Sequence, residues 1–257
     1  MFKAVLLDLD GTVYKGKSAI AGAKETIEKL RAGGVRVFFL TNASTNSRGE
    51  RAETIRKFNI EASREEVYSS SYASAKYVAD NYPGKTVFAV CEGGIQAEME
   101  EMGVEVVEDA SADVVVVGLD RGLTYEKLAT AFKAIHSGAA FIATNEDATF
   151  PVEEGFLPGA GAVVAFIRKS TGKEPLVMGK PNTFLIDMIM EEHGLRKEDV
   201  LIVGDMLETD ILAGKKAGIK SALVLTGVAT RKDVEKLEKE KRPDYILDSI
   251  RGILTLP

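Results

Sequence analysis

Short apolar runs alternate along the chain with longer segments in which apolar residues recur at helical spacing. A continuous run such as Val200–Val203 or Val114–Val117 is typical of a strand that is buried on both faces. The intervening segments, such as Ala21–Ala32, repeat apolar residues every three to four positions, and several are followed by a glycine. This alternation predicts an α/β protein in which helices cover a parallel sheet.

The pattern places each element approximately. The predicted strands are Ala4–Leu7, Val35–Leu40, Thr86–Val90, Val104–Val107, Val114–Val117, Phe141–Thr144, Val200–Val203 and Ser221–Leu225. The predicted helices are Ala21–Ala32, Ser47–Phe58, Gly94–Met102, Tyr125–His136, Asn182–His193 and Asp210–Ala217.

Polar residues that follow the strands indicate where a ligand would bind, because parallel sheets bind ligands beyond the carboxyl ends of their strands. Four segments carry such residues, namely Asp8–Thr12, Thr41–Asn42, Gly179–Pro181 and Gly204–Asp210. All four lie toward the chain ends, which leaves about a hundred residues between them without an obvious catalytic cluster. The spacing predicts a discontinuous core, residues 1–77 and 179–257, around an inserted domain, residues 78–178.

Composition excludes several classes of protein. The 257 residues include 33 Lys and Arg against 39 Asp and Glu, a formal charge of −6, which argues against a nucleic-acid platform. The longest non-polar stretch, Leu157–Ile167, is far shorter than the roughly 18 to 20 residues needed to span a membrane. The start lacks the features of a secretory signal, and the one cysteine fits a reducing compartment. We therefore expect a cytoplasmic protein with no membrane or nucleic-acid partner.

Asp8 and Asp10 stand two residues apart at the end of an apolar strand, so both side chains can project to one side. Crowded carboxylates raise each other's pKa, whereas a cation favours their ionised form, so the pair implies either a shared proton or a metal. Asp205, directly after another apolar strand, can supply a third oxygen donor. This donor set suits Mg²⁺, which binds one or two carboxylates together with waters and substrate phosphate oxygens.

Lys180 and the Thr41 hydroxyl are candidates to hold the oxygens of a phosphate at this place. Each segment also has a simpler interpretation. Gly179–Pro181 can be an ordinary turn before a helix, Asp10 and Gly11 are a common turn pair, and Thr209 with Asp210 can cap a helix. The coincidence of four segments with complementary charges at strand ends or helix starts favours a shared site for a phosphate.

The sequence resembles the haloacid dehalogenase superfamily, in particular its NagD-like, 4-nitrophenylphosphatase-type branch. Asp8–Thr12 matches the first motif of that superfamily, Thr41–Asn42 the second, Lys180 the third and Gly204–Asp210 the fourth. The large insertion between the second and third motifs, with segments 143–147 and 158–161, is similar to the cap of that branch. The resemblance implies a Rossmann-like core with a C2-type α/β cap.

The resemblance also implies roles for individual residues. Asp8 would attack phosphorus to give an aspartyl-phosphate, and Asp10 would protonate the leaving alcohol and then activate water. Mg²⁺ would be bound by Asp8, Asp205 and the Asp10 backbone carbonyl, with Asp210 in support. Thr41 and Lys180 would neutralise the phosphoryl group, assisted by amides near Gly11 and Asn42.

The inserted cap would close over the site and contact the leaving group. Asn145, Asp147 and the Gly159 and Gly161 turn are the candidates for that contact. The implied activity is the hydrolysis of a small phosphorylated metabolite, and a homodimer formed through the cap is in keeping with the branch. Two alternatives stay open at this point: a phosphotransferase or mutase of the same superfamily, and a receiver-like module that holds phosphate on Asp8.

Overall fold

The computed structural model describes residues 2–152 and 155–257. Its strands, in chain order, are β1 (Ala4–Asp8), β2 (Tyr14–Lys15), β3 (Ser18–Ala19), β4 (Arg36–Thr41), β5 (Val67–Ser69), β6 (Val87–Val90), β7 (Val114–Val117), β8 (Ala140–Ala143), β9 (Thr149–Val152), β10 (Gly155–Pro158), β11 (Leu176–Val177), β12 (Val200–Gly204), β13 (Lys220–Val224) and β14 (Tyr245–Leu247).

The α-helices are α1 (Ala23–Ala32), α2 (Arg48–Arg56), α3 (Ser70–Asn81), α4 (Gly93–Glu101), α5 (Tyr125–His136), α6 (Ala160–Thr171), α7 (Phe184–Glu192), α8 (Leu212–Ala217) and α9 (Arg231–Glu235). Short 3-10 turns occupy Arg64–Glu66, Lys197–Asp199, Lys239–Lys241 and Ile250–Thr255. One π-helical turn, Leu207–Ile211, directly precedes α8. Within residues 2–152 and 155–257, no helix combines the length and the hydropathy needed to span a membrane.

The chain divides into two compact units. Unit 1 comprises Met1–Thr41, Ala52–Tyr68 and Lys180–Pro257, and unit 2 comprises Asn42–Arg51 and Ser69–Gly179. Unit 1 is thus built from both chain ends. The inserted unit begins at Ser69, earlier than the residue 78 expected from the sequence, and it also includes the segment that follows Thr41. The functional assignment of the two units stays a prediction.

Unit 1 is centred on a six-stranded sheet in the order β14-β13-β12-β1-β4-β5. Strands β14 through β4 are parallel in that order, with Leu7 opposite Val203 on one side and Asp8 opposite Leu40 on the other. Central β1 and β12 carry continuous apolar runs whose side chains are fully buried, as expected of strands covered on both faces. The confirmed fold class is therefore α/β with a parallel sheet.

The apolar face of α1 forms part of the core of unit 1. Ile27 and Leu30 lie on one side of that helix and pack in the same buried cluster as Val5 and Leu7 of β1. Tyr14, which follows the loop after β1, stacks on Phe58 with ring centroids 5.0 Å apart. This packing anchors Tyr14, at the end of the turn that follows β1, in the core of unit 1.

Unit 2 contains a parallel four-stranded sheet in the order β11-β8-β7-β6 and an antiparallel hairpin of β9 and β10. Its core packs Val115 and Val117 of β7 against Ala131 and Ile135 of α5 and against Val164 of α6. A separate buried core in each unit is what two domains require.

The structure differs from the sequence prediction at several elements, and α6, β5 and β14 are among those that were not predicted. The predicted strand Val104–Val107 is wrong: only Val106 pairs, through an isolated bridge to Val87, and the segment is partly exposed. Helix α3 was not predicted, although most of its residues are buried, because its serines and alanines give little apolar periodicity. Ser69 caps this helix by accepting the Tyr72 amide at 3.2 Å.

Candidate active site

The carboxyl ends of β1 and β12 bring two acidic residues of unit 1 to the same edge of the sheet. Asp8 is the last residue of β1, and Asp205 directly follows β12. Because the neighbouring strands are parallel and Leu7 pairs with Val203, both carboxylates emerge at that edge. Asp205 is almost fully buried and the side chain of Asp8 is 13% exposed.

Lys180 joins two of the acidic residues, although it is distant from both in sequence. Its Nζ lies 2.6 Å from Oδ1 of Asp8 and 2.5 Å from Oδ1 of Asp210, and it also reaches the Leu40 carbonyl at 3.5 Å. The Lys180 side chain is only 3% exposed, so the ammonium is held among these acceptors. The ordinary-turn interpretation of Gly179–Pro181 therefore does not account for Lys180.

Asp210 reaches the site from the π-helical turn. Its Oδ2 accepts the Met206 amide at 3.1 Å while its Oδ1 binds Lys180. Gly204 leaves room for this arrangement, because a Cβ at that position would collide with the Asp210 carboxylate. Extra residues inserted into helices in this way occur frequently at functional sites. The predicted helix Asp210–Ala217 thus begins as α8 only at Leu212, and Asp210 belongs to the preceding turn.

Among the described residues in contact with the cluster, the charges of the ion pairs do not balance. The carboxylates of Asp8, Asp205 and Asp210 face one ammonium, that of Lys180, which leaves a formal charge of −2. Burial disfavours the charged ammonium, but Asp210 and Asp8 outweigh that effect and raise the pKa of Lys180 above its ordinary value. Lys180 therefore stays protonated at neutral pH.

The pKa values of two carboxyl groups are raised as well, which for them favours the uncharged form. Burial raises the pKa of Asp8 well above its ordinary value, and although Lys180 opposes this, the charges of Asp210 and Asp205 add to it. Burial and the neighbouring Asp210 raise the pKa of Asp205 to about 6. One ammonium does not compensate three buried carboxylates, so the site favours a further positive charge.

The donor set fits a divalent cation. One carboxylate oxygen from each of Asp8, Asp205 and Asp210 lies within 4.8 Å of the others, and hard oxygen ligands are those that Mg²⁺ prefers. A doubly charged cation would also match the formal −2 of the cluster. The structure therefore brings Asp210, expected only in support, among the side chains able to hold the ion, while the Asp10 backbone carbonyl stays a prediction.

Asp10 and Gly11 lie in a tight turn after β1. The amides of Thr12, Val13 and Tyr14 converge on the Leu9 carbonyl at 3.3, 2.9 and 3.1 Å. Gly11 has φ +80°, which a side chain rarely adopts, and a Cβ there would collide with the Asp205 carboxylate. Asp10 is exposed at the edge of the site.

The Gly11 amide donates to the Tyr14 carbonyl at 2.7 Å and so closes the turn. Gly11 also permits the close approach of Asp205 to the turn. The role of amides near Gly11 in binding a phosphate stays a prediction. Thr41, the last residue of β4, is buried one residue beyond Leu40, the residue opposite Asp8, which places it at the same edge as the acidic cluster.

Unit 2 gathers the remaining predicted residues in a separate network. The Asn42 side-chain amide donates to both carboxylate oxygens of Asp147 at 3.1 Å, and the Asn42 carbonyl accepts Asn145 at 2.8 Å and Ser70 at 2.5 Å. Asn145 also accepts the Asp147 amide at 3.0 Å. These contacts give Asn145 and Asp147 partners within the unit, and their contact with a leaving group stays a prediction.

Gly159 and Gly161 stand at the start of α6 beside this network. The Gly159 amide donates to the Ala148 carbonyl at 2.8 Å, and the Gly161 amide donates to the Asp147 carbonyl at 3.0 Å. The two glycines therefore join the start of α6 to the loop that carries Asn145 and Asp147. A direct role in substrate recognition stays a prediction for them as well.

Sequence reasoning missed a loop that contacts the acidic cluster. Thr226, Gly227 and Val228 follow β13 and reach Gly11 and Asp205. The signal was available, because Thr226 directly follows the predicted strand Ser221–Leu225 and residues after the strands of a parallel sheet are those expected at a site. Ser70, which holds the Asn42 carbonyl, had no comparable signal.

Comparison with known proteins relates the whole chain to phosphatases. A sequence model of haloacid dehalogenase-like hydrolases matches residues 5–105, and a second, HAD-hydrolase-like model matches residues 177–253. An acid sugar phosphatase of Staphylococcus aureus (strain MRSA252) is 40% identical over 244 residues, which are 95% of this chain and 93% of that protein.

Two solved structures extend the similarity to the fold. A glycerol phosphate phosphatase of Mycobacterium tuberculosis, solved in complex with magnesium, is 35% identical with a TM-score of 0.92, covering 98% of this chain and 76% of that one. NagD of Escherichia coli K-12 is 31% identical with a TM-score of 0.90, covering 98% of both chains. The similarity therefore spans both units.

Proposed function

The chain belongs to the haloacid dehalogenase-like hydrolases, as a phosphatase of their NagD-like branch, and from this premise we propose that it is a Mg²⁺-dependent phosphomonoesterase acting through an aspartyl-phosphate at Asp8. The observation that carries the proposal is the contact of Lys180 with Asp8 and Asp210, beside Asp205. This contact places the Asp8 carboxylate, as the nucleophile, beside the Lys180 ammonium and among carboxylates that can bind a metal.

The first step is an attack by an Asp8 carboxylate oxygen on phosphorus. A bond forms between that oxygen and phosphorus, the bond from phosphorus to the alcohol oxygen breaks, and Asp10 gives its proton to the departing oxygen. Lys180 orients Asp8 through the 2.6 Å contact and supplies positive charge beside the transferring group. Thr41 supplies a hydroxyl at the same edge.

The second step regenerates the enzyme. Asp10, now a carboxylate, takes a proton from water, and the water oxygen attacks phosphorus while the bond to Asp8 breaks. Inorganic phosphate leaves, and Asp8 is again a carboxylate and Asp10 an acid. The exposed position of Asp10 beside the buried Asp8 supports this division of roles, because a group that exchanges protons with alcohol and water needs access to both.

Asp8, Asp205 and Asp210 are the side chains that would hold Mg²⁺, with the Asp10 backbone carbonyl as a further donor. When bound, the ion supplies positive charge that stabilises the negative charge of the phosphoryl group. Asp205 is held for this purpose by the Val228 amide, and Asp210 is held by the Met206 amide.

We assign residues 1–77 and 179–257 as the catalytic core and residues 78–178 as the cap. The division into two compact units, one of them built from both chain ends, supports this arrangement, although unit 2 also includes residues 42–51 and 69–77 and Gly179. The cap would exclude water and select the leaving group. The relatives named for acid sugar phosphates and glycerol phosphate support a small phosphorylated metabolite as substrate. A homodimer formed through the cap stays a prediction.

The test is hydrolysis of 4-nitrophenyl phosphate by the purified protein with Mg²⁺ and with a chelator. We expect Mg²⁺-dependent release of nitrophenol and phosphate in equal amounts, and loss of both in Asp8→Asn. The control is Asp80→Asn, which changes an exposed carboxylate in α3. Full activity of Asp8→Asn would contradict the assignment, and nitrophenol in excess of phosphate, when an acceptor alcohol is added, would indicate a phosphotransferase.

A further inference from the structure

A loop after β13, residues 226–229, contacts both Asp205 of the acidic cluster and the turn that follows β1. We call it the 226–229 loop. It is not part of the four sequence motifs that carry the proposed chemistry. Its contacts come from backbone amides, one hydroxyl and one glycine, so its influence on the site would act through position rather than charge.

The first contact fixes Asp205. The Val228 amide donates to Oδ2 of Asp205 at 2.8 Å, and the Ala229 amide donates to the Asp205 carbonyl at 3.0 Å. Hydrogen bonds to an ionised carboxylate are short and strong. Because the two bonds reach the backbone and the side chain of the same residue, they restrict the rotation of its carboxylate.

The second contact fixes the turn that follows β1. The Thr226 hydroxyl donates to the Gly11 carbonyl at 2.5 Å, while the Gly11 amide donates to the Tyr14 carbonyl at 2.7 Å. Both polar backbone atoms of Gly11 are therefore committed. This turn carries Asp10, so a bond from Thr226 to the next residue limits how far the Asp10 backbone can shift.

Gly227 allows both contacts to exist together. A Cβ on Gly227 would collide with the Asp205 carboxylate, and a Cβ on Gly11 would lie 3.0 Å from the Gly227 Cα as well as too close to that carboxylate. The loop, the turn and Asp205 are thus in direct mutual contact. Displacement of any one of them would therefore alter its contacts with the other two.

We infer that Thr226 is a positioning residue, which holds the Asp10 and Gly11 turn against Asp205 and so sets the affinity of the acidic cluster for a divalent cation. The inference rests on the proposed function for the metal itself. The inference assigns a role to Thr226, which is not itself one of the proposed metal ligands. Thr226 acts through Gly11, and it touches neither the phosphate nor the ion in this role.

The experiment measures Mg²⁺ binding to the full chain by titration calorimetry, without substrate. Thr226→Val keeps the shape of the side chain and removes the donor, and we expect its dissociation constant to rise about fivefold or more. Thr226→Ser keeps the hydroxyl and should stay within about twofold of the unchanged protein. The control is Thr230→Val, because the Thr230 hydroxyl bonds Asp233 at the start of α9, and its Mg²⁺ affinity should not change.

Gly227→Ala is a second variant, which disturbs Asp205 directly instead of removing a hydrogen bond. Its added methyl group should displace Asp205 and weaken Mg²⁺ binding more than Thr226→Val does. Thermal unfolding without Mg²⁺ accompanies each titration, so a general loss of folding is separated from a specific loss of affinity. The inference also predicts that saturating Mg²⁺ restores most of the kcat of Thr226→Val.

The outcomes separate this inference from the proposed function. Equal Mg²⁺ affinity in Thr226→Val and the unchanged protein, with Asp205→Asn defective, would overturn the role of Thr226 and leave the metal site intact. A defect in Thr226→Ser as large as that in Thr226→Val would overturn it too. Absence of Mg²⁺ binding to the unchanged protein would overturn both the inference and the proposed metal site.

Discussion

Lys180 Nζ lies 2.6 Å from the Asp8 carboxylate, although 172 residues separate the two in sequence. The contact joins the strand that begins unit 1 to the segment where the chain returns to that unit. A buried charge without a partner is costly, so this pair ties the position of Asp8 to the folding of both chain ends. The consequences of removing each partner can be measured separately.

Lys180→Met removes the ammonium and retains a side chain of similar length. At about pH 7.5 we expect the free energy of unfolding to fall by about 3 kcal/mol, because three buried carboxylates lose their cation. At about pH 5 the loss should be smaller, because Asp205, with a pKa raised to about 6, takes up a proton there, and the pKa of Asp8 is shifted in the same direction. Activity should fall at least about 100-fold.

Urea denaturation at the two pH values measures this effect. Lys24→Met is a matched control, because Lys24 is exposed and its contact with Glu28 is 3.8 Å long. That variant should change the free energy of unfolding by no more than about 0.5 kcal/mol. An equal loss for Lys180→Met at both pH values would show that the carboxylates are not the cause.

Asp205→Asn tests the excess negative charge of the cluster. Without Mg²⁺ we expect this variant to be more stable than the unchanged protein by about 1 to 2 kcal/mol, because one of three crowded carboxylates becomes neutral. The Val228 amide keeps an acceptor on the new side chain. Asp80→Asn, at an exposed position, is the control.

Mg²⁺ should stabilise the unchanged protein and leave the stability of Asp205→Asn nearly unchanged. At a concentration 100 times the dissociation constant, a ligand of the folded state stabilises by about 2.7 kcal/mol, and we expect such a gain only where Asp205 is intact. Chemical denaturation with and without Mg²⁺ measures both the stability of the metal-free proteins and the gain in stability that Mg²⁺ produces. If Asp205→Asn lowers stability without Mg²⁺, or keeps the full gain with it, the proposed role of Asp205 is wrong.

The raised pKa of Asp205 gives a pH dependence of defined sign. Its value of about 6 lies above the ordinary 3.8, so the folded metal-free protein binds more protons than the unfolded chain between these values. The resulting contribution to stability is present at low pH and is lost as pH rises through about 6. Mg²⁺ competes with the proton, so its affinity should fall as pH is lowered through about 6.

Thermal unfolding at about pH 7.5, 6 and 5 tests this relation. The increase in melting temperature produced by Mg²⁺ should be largest at the highest pH and smallest at the lowest. The same series on Asp205→Asn serves as the control and should show a weaker dependence. A Mg²⁺ effect that is constant over this range would contradict the titration of Asp205 in the site.

Asn145→Ala distinguishes positioning from substrate recognition in unit 2. Asn145 is 4% exposed and donates to the Asn42 carbonyl, which also accepts Ser70, so its removal should cost about 1 kcal/mol of stability. We expect kcat to fall by about tenfold for every substrate, because Asn42 directly follows Thr41 and small displacements slow catalysis. The ranking of substrates should not change.

A panel of phosphorylated metabolites with Mg²⁺ measures that ranking. Asn81→Ala, which removes an exposed side chain at the end of α3, is the control for stability and activity. A ranking altered by Asn145→Ala would favour direct contact with the leaving group, as the sequence alone had suggested. The same panel identifies the preferred substrate of the unchanged protein.

The sequence predicted that Asp8 and Asp205 lie close together, because the ends of buried strands can be recognised from the apolar pattern. Asp8 and Asp205 each follow a continuous apolar run, and the parallel sheet brings such residues together. The position of Asp210 was less visible, because a π-helical turn has no signature in the apolar pattern and only the fold shows that Asp210 contacts Lys180. Helix α3 was missed for a similar reason, since its serines are buried by tertiary contacts that local spacing does not record.

The difference between the predicted and the observed unit boundaries also has a physical cause. The sequence pattern placed the first boundary at residue 78. Compactness depends on contacts between distant residues, and these assign residues 42–51 and the segment that begins at Ser69 to unit 2. The Val104–Val107 run shows the converse error. Its residues have high strand propensity, yet a strand requires a neighbour, and only Val106 finds one.

The most direct test of the proposed mechanism is rapid mixing of Asp10→Asn with 4-nitrophenyl phosphate and Mg²⁺. This substrate has a good leaving group and needs little help from an acid, whereas hydrolysis of the aspartyl-phosphate needs the base. We predict a burst of about one nitrophenolate per chain, then slow turnover, with phosphate found on the peptide that contains Asp8 after acid quenching. Steady turnover without a burst, and with no phosphate on Asp8, would contradict the aspartyl-phosphate mechanism.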